Sequence, residues 1–421
     1  MKDDVVGVGG TPSTRLDRPM PPAERYAIID IVRGFALFGV MLSNMVLTTQ
    51  FLALPGAARE AMPTARLDTL VIFLMDTLIT DKFYTLFSML FGLGFAVQLH
   101  RATARNVDVL PTYMRRLVIL FVFGVLHGSL LWFGDVLHIY ALLGFILVLL
   151  SKRSDRFVVA CIVGIAALAG LVPVLDWVAR TRAWAYPLIW GEPVTPSAMF
   201  EVLSGGSYVD ILRLNWEVHL QDYGQPGFSD WIGLWYLDIL WRFLLGFLIG
   251  RHMLMRGTQE YRSLFTRLLR WALPIGLLGN AVMSARLDYR AWSVESGFVN
   301  ALLSGLDEVW VLALAVSYVC ILALVYQRPR LRRPVGWLAP VGRMALTNYV
   351  TQSAFMMLLF YGIGLGWIGT AGAAACLGAS LAIFAIQTLW SFWWLAHFRF
   401  GPLEWLWRSL TYGRLQPLRA H

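Results

Sequence analysis

Residues 30–44 read DIVRGFALFGVMLSN, and this apolar stretch decides the fold. The run that contains it, 26–48, is long enough to cross a lipid bilayer as a helix. Similar runs recur along the 421 residues, of which 58% are hydrophobic and 14% charged. That composition excludes an ordinary soluble protein. Because strand-like alternation is absent, the chain is predicted to be an all-α polytopic helical membrane protein.

The sequence predicts about ten membrane spans with both termini in the cytoplasm. The spans are 26–48, 81–99, 115–133, 136–150, 157–178, 229–250, 271–287, 298–326, 343–365 and 371–396. Of the 35 Lys and Arg residues, 25 fall in the segments predicted to be inner and 8 in those predicted to be outer. This bias follows the positive-inside rule and explains the net charge of +9. The predicted partner is therefore the lipid bilayer, and no nucleic acid is predicted.

The spans divide the chain into five parts. These are a disordered cytoplasmic tail (1–25), an N-terminal five-helix membrane region (26–180), an outer-face segment (181–228), a C-terminal five-helix membrane region ending in a cytoplasmic surface helix (229–413), and a second tail (414–421). An interfacial or re-entrant helix is predicted at 66–80. In the outer segment, four residues at helical spacing predict an amphipathic helix on the membrane surface: Leu212, Trp216, Leu220 and Tyr223.

The opening stretch places three polar side chains on one helix face. Asp30 lies three residues before Arg33, close enough for an ion pair. The eleven residues from Arg33 to Asn44 turn a helix by about 1100° and advance it by about 16 Å, so the two side chains face the same way. An Arg33 that reaches the lipid headgroups beside Asp30 accounts for both charges. Asn44 remains without such an explanation.

The third span repeats this spacing with Arg116 and His127. A single intramembrane histidine is often a structural residue, but at this depth it is also a candidate general base. Asp135 and His138 follow at the outer turn. There Asp135 is predicted either to orient an imidazole or to cap the next helix.

Several further polar residues lie at membrane depth. Asp238 and Arg242, four residues apart, are predicted to neutralise each other. Asn348 and Gln352 share a face of the ninth span, where hydrogen bonds between helices are expected. A polar cavity is predicted, with five lining residues: Asp30, His138, Glu308, Asn348 and Gln352. The three cysteines lie far apart in apolar runs, so neither a disulfide nor a metal site is predicted.

Six stretches together carry a resemblance to a known family: IDIVRGFALFGVMLSN (29–44), KFYTLFSMLFGLGFA (82–96), RRLVILFVFGVLHGSLLWFGDVLHIYAL (115–142), WRFLLGFLIGR (241–251), VGRMALTNYVTQS (341–353) and GPLEWLWRSLTYG (401–413). They resemble the YeiB-like family of bacterial inner-membrane proteins, whose C-terminal half is a domain of unknown function. That family is distantly similar to the transmembrane acyltransferase superfamily. Its polysaccharide O-acetyltransferases carry R-x10-H in the first helix and take acyl-CoA from the cytoplasm. Here the matching pair is Arg33 and Asn44, and an amide cannot accept a proton.

The resemblance implies an acyltransferase of the bacterial cytoplasmic membrane, with acyl-CoA as donor and an acceptor at the outer face. His127 is then the predicted base, Asp135 its neighbouring carboxylate, and Asn44 a hydrogen-bond donor to the acyl carbonyl. Arg33 and Arg116 are predicted to bind the phosphates of CoA. Two alternatives stay open, a transporter or permease for a small polar solute and a noncatalytic membrane scaffold. The acyl group, the acceptor and the oligomeric state are not predicted.

Overall fold

The computed structural model describes residues 27–49, 51–181, 194–224, 232–252, 260–286 and 298–419. The predicted tail 1–25 lies outside the described residues. The described part is helical apart from turns, loops and one isolated backbone bridge. Its α-helices are α1 (Ala27–Thr48), α2 (Gly56–Glu60), α3 (Ala65–Leu78), α4 (Lys82–Ala104), α5 (Leu110–Leu130), α6 (Leu137–Leu150), α7 (Asp155–Thr181), α8 (Pro196–Gly205), α9 (Tyr208–Gly224), α10 (Ile232–Arg251), α11 (Arg262–Arg286), α12 (Phe298–Gly305), α13 (Asp307–Tyr326), α14 (Pro329–Gly336), α15 (Leu338–Arg343), α16 (Ala345–Phe360), α17 (Ala373–His397) and α18 (Pro402–Tyr412).

Within the described residues, six spans are long and apolar enough to cross a membrane. They are α1, α5, α7, α11, the pair α12 and α13, and α17. The all-α class and the multi-pass membrane character are thereby confirmed. Helices α4, α6, α10 and α16 coincide with the other four predicted spans but do not meet the same standard of length and hydropathy. A helix inside a bundle contacts protein rather than lipid, so it tolerates the polar residues that α10 carries.

The predicted span over 298–326 is present as the candidate span Ala301–Tyr326, and the structure adds a break at Leu306 between α12 and α13. The break follows a close helix crossing. A Cβ added to Gly305 would lie 2.2 Å from the carbonyl oxygen of Gly170 in α7. Asp307 and Glu308 then occupy the first turn of α13, where negative charge complements the helix dipole.

Helix α1 lies in the middle of the bundle, against α4, α13, α15, α16 and α17. Its crossing with α15 brings two backbones into contact. A Cβ on Gly34 would lie 2.1 Å from the carbonyl oxygen of Leu338, and one on Gly342 would lie 1.9 Å from that of Asp30. This contact places Arg33 beside α15, with its Nη1 3.4 Å from the carbonyl oxygen of Gly342.

Helices α1, α5 and α16 begin at the same end of the bundle and run in the same direction. Leu37 and Leu120, midway along α1 and α5, share one apolar cluster with Leu346 at the start of α16. Further along, Met45 of α1 clusters with Met356 of α16. The end at which Arg33 and Arg116 lie is called the arginine face below. Because α1 and α5 run in parallel, Asn44 and His127 lie at similar depths, about 16 Å from their arginines.

The crossing of α4 and α10 gives a test of this packing. A Cβ on Gly92 would lie 1.9 Å from the carbonyl oxygen of Phe243. Gly94 lies two residues later, on a different face of α4, and a Cβ there would meet no atom within 4 Å. We expect Gly92→Ala to lower the free energy of unfolding by about 1–3 kcal/mol through overpacking. Gly94→Ala is the matched control and should be neutral or stabilising, since alanine is the better helix former. Equal thermal unfolding of the two variants in detergent would contradict this crossing.

Candidate functional site

Three buried side chains form a hydrogen-bonded chain across the bundle. His127 Nδ1 lies 2.8 Å from Asp135 Oδ1, and His127 Nε2 lies 2.8 Å from Ser353 Oγ. The exposed fractions of these residues are 4% for His127, 2% for Asp135 and 1% for Ser353. The order of the groups is carboxylate, imidazole and hydroxyl, which is the order in which a base is oriented and a nucleophile activated.

Local structure fixes the position of Asp135. It lies in the turn between α5 and α6. Its Oδ2 accepts a hydrogen bond from the backbone N–H of His138 at 3.1 Å and lies 2.7 Å from the Nδ1 of the same residue. Both predicted roles therefore occur together, since the carboxylate caps α6 and orients an imidazole. Gly124 allows the two helices to meet, because a Cβ there would lie 2.2 Å from the backbone nitrogen of His138.

The charge of Asp135 determines the proton arrangement of His127. Burial alone would raise the pKa of Asp135, but hydrogen bonds from His127 and His138 outweigh burial and hold the pKa below its ordinary value of 3.8. The ionised carboxylate accepts hydrogen bonds only, so the His127 nitrogen that faces it, Nδ1, carries a proton. When His127 acts as a base, its other nitrogen is the free one. Its Nε2 is then a lone-pair acceptor, and the hydroxyl of Ser353 donates to it.

A third imidazole at this site, that of His219 in α9, was missed by the sequence analysis. The ring centroids of His138 and His219 are 5.4 Å apart and perpendicular. Gly128 makes room for it, since a Cβ there would lie 2.4 Å from His219 Nε2. The segment predicted to be an amphipathic surface helix is helical, and Trp216 and Leu220 of the predicted apolar stripe are exposed. The opposite face, which carries His219, is buried against α5.

His219 predicts a pH dependence of stability. Burial, and then the proximity of His138, lower the pKa of His219 below its ordinary value of 6.5. The unfolded chain therefore binds a proton at His219 before the folded chain does, so folding stability is lost as the pH falls through 6.5. We expect the thermal midpoint of His219→Gln to fall less between pH 7 and pH 5 than that of the unsubstituted protein. Parallel curves would show that His219 is not the group responsible.

Buried polar atoms without partners surround the chain of three residues. In the part of the protein that the structure describes, they include Ser129 Oγ, Trp132 Nε1, Asn215 Oδ1 and Gln352 Oε1. Two of them lie close together, because Asn215 Nδ2 donates to the backbone carbonyl of Ser129 at 3.1 Å. An unpaired buried polar atom carries a desolvation penalty of about 1–3 kcal/mol. Such atoms near an oriented imidazole are places at which a polar substrate group gains hydrogen bonds.

Asn348 and Gln352 link α16 to α17. Asn348 Nδ2 donates to Ser391 Oγ at 3.0 Å, and Gln352 Nε2 donates to Gln387 Oε1 at 2.9 Å. Gln387 in turn donates to Thr351 Oγ1 at 2.8 Å. The predicted hydrogen bonding between helices is confirmed. It holds α16 in the rotation that points Ser353 at His127.

At the arginine face, the predicted ion pair is present, with Arg33 Nη1 3.0 Å from Asp30 Oδ1. The guanidinium of Arg116 lies over the ring of Trp407 in α18, 4.1 Å from its centroid, and its Nη1 is 3.4 Å from Gln98 Oε1. Arg33 and Arg116 are near enough to interact electrostatically. Two cations therefore meet at the start of helices that lead to the buried chain.

Asn44 and Glu308 do not join the chain of three residues. The half-buried carboxamide of Asn44 makes no hydrogen bond within the described residues, while its backbone carbonyl accepts the hydroxyl of Thr48 at 2.7 Å. Glu308 Oε2 lies 2.7 Å from Arg242 Nη2, and the other terminal nitrogen of Arg242, Nη1, pairs with Asp238. The predicted pairing of Asp238 with Arg242 is thus confirmed, and Glu308 belongs to this ionic cluster.

Comparison with known proteins gives the chain a family. Residues 249–414 match the family described as protein of unknown function (DUF418). The chain is 30% identical over 411 residues to the uncharacterized protein YxaH of Bacillus subtilis (strain 168). This alignment covers 95% of this chain and 98% of the relative. It is 27% identical over 402 residues to the uncharacterized protein YeiB of Escherichia coli (strain K12), covering 92% and 96%. The chain therefore belongs to the YeiB-like family of helical membrane proteins that carry the DUF418 domain in their C-terminal half.

Proposed function

We propose that the protein is a transmembrane acyltransferase that moves an acyl group from cytoplasmic acyl-CoA to an acceptor at the outer face of the bacterial cytoplasmic membrane. The observation that carries the proposal is the buried chain of Asp135, His127 and Ser353. A structural histidine needs one partner on each nitrogen, but it does not need an ionised carboxylate on one side and a hydroxyl on the other. That combination is what a general base requires.

The proposed topology has ten spans and cytoplasmic termini, so that the arginine face is cytoplasmic. The excess of Lys and Arg in the predicted inner segments supports this orientation. Helices α4, α6, α10 and α16 would complete the ten spans, enclosed by the more apolar helices. Addition of a cysteine-reactive, membrane-impermeant reagent to cells that carry single engineered cysteines in either terminus tests the orientation. Labelling of either terminus from outside would overturn it.

Arg33 and Arg116 are the proposed sites for the phosphates of CoA. The charge of Arg33 is balanced by that of Asp30, whereas Arg116 stacks on the uncharged ring of Trp407. These three charged groups together therefore carry one net positive charge. Guanidinium groups bind phosphate through charge-assisted hydrogen bonds. The thioester then has about 16 Å to travel along α1 and α5 to reach the depth of His127. Asn44, at that depth on α1, is the proposed donor to the acyl carbonyl, since its amide makes no hydrogen bond with the described residues.

The unpartnered atoms Ser129 Oγ and Asn215 Oδ1 are the proposed contacts of the acceptor. Ser129 lies at the end of α5 remote from the arginine face, and Asn215 lies on α9, which packs against that end. A hydroxyl or amine of the acceptor would gain hydrogen bonds there that the unoccupied protein does not make. Donor and acceptor would thus approach His127 from opposite ends of the bundle.

Binding of acyl-CoA to the purified protein tests the proposal. We expect saturable binding of acetyl-CoA or a long-chain acyl-CoA by microscale thermophoresis, weakened at least tenfold in Arg116→Gln. Arg213→Gln, an exposed arginine in α9, is the matched control and should bind as the unsubstituted protein does. Absence of binding of either thioester at high micromolar concentration would overturn the acyltransferase proposal.

A permease for a small polar solute is the second candidate. The hydrogen-bonded amides of Asn348, Gln352 and Gln387 favour it, because intramembrane polar residues facing the bundle interior are typical of solute pathways. This function predicts solute uptake by proteoliposomes in the absence of CoA. If substitution of His127, Asn44 and Asp135 changed only stability, with neither binding nor uptake, the noncatalytic scaffold would be the remaining function.

A further inference from the structure

Ser353 differs from two other buried serines of the membrane helices, Ser317 and Ser380, in where its hydroxyl points. Ser317 in α13 and Ser380 in α17 each donate to the carbonyl four residues earlier in their own helix, both at 2.8 Å. That local bond is the usual way to satisfy a hydroxyl in a membrane helix. The hydroxyl of Ser353 instead meets the imidazole of another helix, His127 Nε2 at 2.8 Å.

The neighbours of Ser353 hold this arrangement in place. His127 is fixed from its other nitrogen by Asp135, whose second oxygen is held by the backbone and ring of His138. The ring of Tyr349, one turn before Ser353, lies against His127 with centroids 4.9 Å apart. The imidazole can therefore neither rotate nor leave without breaking several buried contacts. A serine facing such a fixed base has the geometry of an activated nucleophile.

We propose that Ser353 is a covalent nucleophile that carries the acyl group as an ester between donor and acceptor. The inference rests on the proposed function, whose transfer reaction it divides into two steps. It also accounts for the separation of the substrates. CoA is too polar to cross the bundle, and Ser353, the ninth residue of the sixteen in α16, lies between the two ends of its helix.

In the first step, Ser353 Oγ attacks the carbonyl carbon of the thioester while its proton passes to His127 Nε2. The carbon–sulfur bond breaks, and the CoA sulfur takes that proton and leaves as the thiol. In the second step, the oxygen or nitrogen of the acceptor attacks the ester carbon and gives a proton to His127 Nε2. The bond from carbon to Ser353 Oγ breaks, and the proton returns to the serine. No atom is oxidised or reduced, and the protein ends unchanged.

A fluorophosphonate probe, which reacts with activated serines and needs no acyl donor, tests the inference on the full-length protein in detergent. We expect labelling of Ser353, located by peptide mass spectrometry, and no labelling of Ser353→Ala. His127→Gln and Asp135→Asn should slow labelling by about 10²–10⁴-fold through loss of the base or of its orientation. Ser380→Ala is the matched buried control and should be labelled as the unsubstituted protein is. Size-exclusion profiles confirm that each variant is folded.

The acyl-enzyme itself is tested by incubation with acetyl-CoA, acid quenching and intact mass spectrometry. We expect one acetyl group on Ser353, and a hydroxylamine-sensitive thioester in Ser353→Cys. If Ser353→Ala transferred acyl groups at the normal rate while His127→Gln did not, the covalent inference would be overturned and direct transfer would stand. If the probe labelled Ser353 but neither thioester bound, the nucleophile would stand and the acyltransferase proposal would fail. Equal labelling of Ser353 with and without His127 would overturn the relay.

Discussion

Replacement of His127 by glutamine is expected to lower the rate of acyl transfer by about 10²–10⁴-fold. Glutamine keeps a hydrogen-bonding side chain of similar length, so contacts to Asp135 and Ser353 are partly preserved. It has no group that can accept a proton at neutral pH. The proton of Ser353 or of the acceptor would then have no base within reach. The measurement is transfer from radiolabelled acyl-CoA to the acceptor fraction of membranes at matched protein amounts.

Two further variants give this prediction its controls. His397→Gln changes an exposed histidine at the end of α17 and should leave transfer unchanged. Asp135→Asn keeps the shape of the turn but replaces an acceptor-only carboxylate by an amide, so that the tautomer of His127 is no longer fixed. We expect it to lose activity to a similar degree while acyl-CoA binding persists. Full transfer by His127→Gln with a normal size-exclusion profile would remove the base assignment.

The hydrophobic runs predicted the helices closely because a membrane span must be apolar over a fixed length. Helix α1 ends at Thr48, the predicted end of its span, and α6 also ends at the predicted residue. The break at Leu306 could not be predicted, because it depends on the contact of Gly305 with Gly170, more than a hundred residues earlier. Hydropathy carries no information about which helices cross.

The same limit applies to the candidate site. The eleven-residue spacing predicted that His127 and Asn44 lie at similar depth, and the short distance along the chain brought Asp135 and His138 into consideration. Ser353 is 226 residues from His127 in sequence. Its role depends on the rotation of α16, which the bonds of Gln352 and Asn348 to α17 determine. Periodicity alone assigned that face of α16 to helix packing.

His219 shows a different reason for a missed residue. The apolar stripe of α9 predicted a helix at the membrane surface, and Trp216 and Leu220 are indeed exposed. The other face carries Ile211, Asn215 and His219, a mixed set that the sequence does not distinguish from a solvated face. Only the docking of α9 on α5, through Gly128, makes these side chains part of the site.

The ionic cluster in the other half of the bundle has the largest expected effect on stability. Arg242 is 1% exposed and pairs with both Asp238 and Glu308, while Tyr84 donates a hydrogen bond to Asp238 at 2.7 Å. Arg242→Leu would leave the buried carboxylate of Asp238 and the partly buried carboxylate of Glu308 without their cation. Removal of one partner of a buried pair costs about 3–5 kcal/mol, because the remaining charge is desolvated and uncompensated. We expect a loss of this size in thermal or denaturant unfolding in detergent.

Arg213→Leu is the matched control for Arg242→Leu, since Arg213 forms a pair with Asp210 at 3.6 Å that is largely exposed on α9. Exposed pairs contribute about 0–1 kcal/mol, so this variant should unfold almost as the unsubstituted protein does. The triple variant Arg242→Leu, Asp238→Asn and Glu308→Gln removes the uncompensated charges together with the cation. It should recover much of the loss, because the penalty arises from the unpaired carboxylates rather than from the absence of the pair. Equal destabilisation by Arg213→Leu and Arg242→Leu would contradict the burial of this cluster. If the triple variant did not recover stability, packing of the Arg242 stem, and not charge, would be what holds α10 against α13.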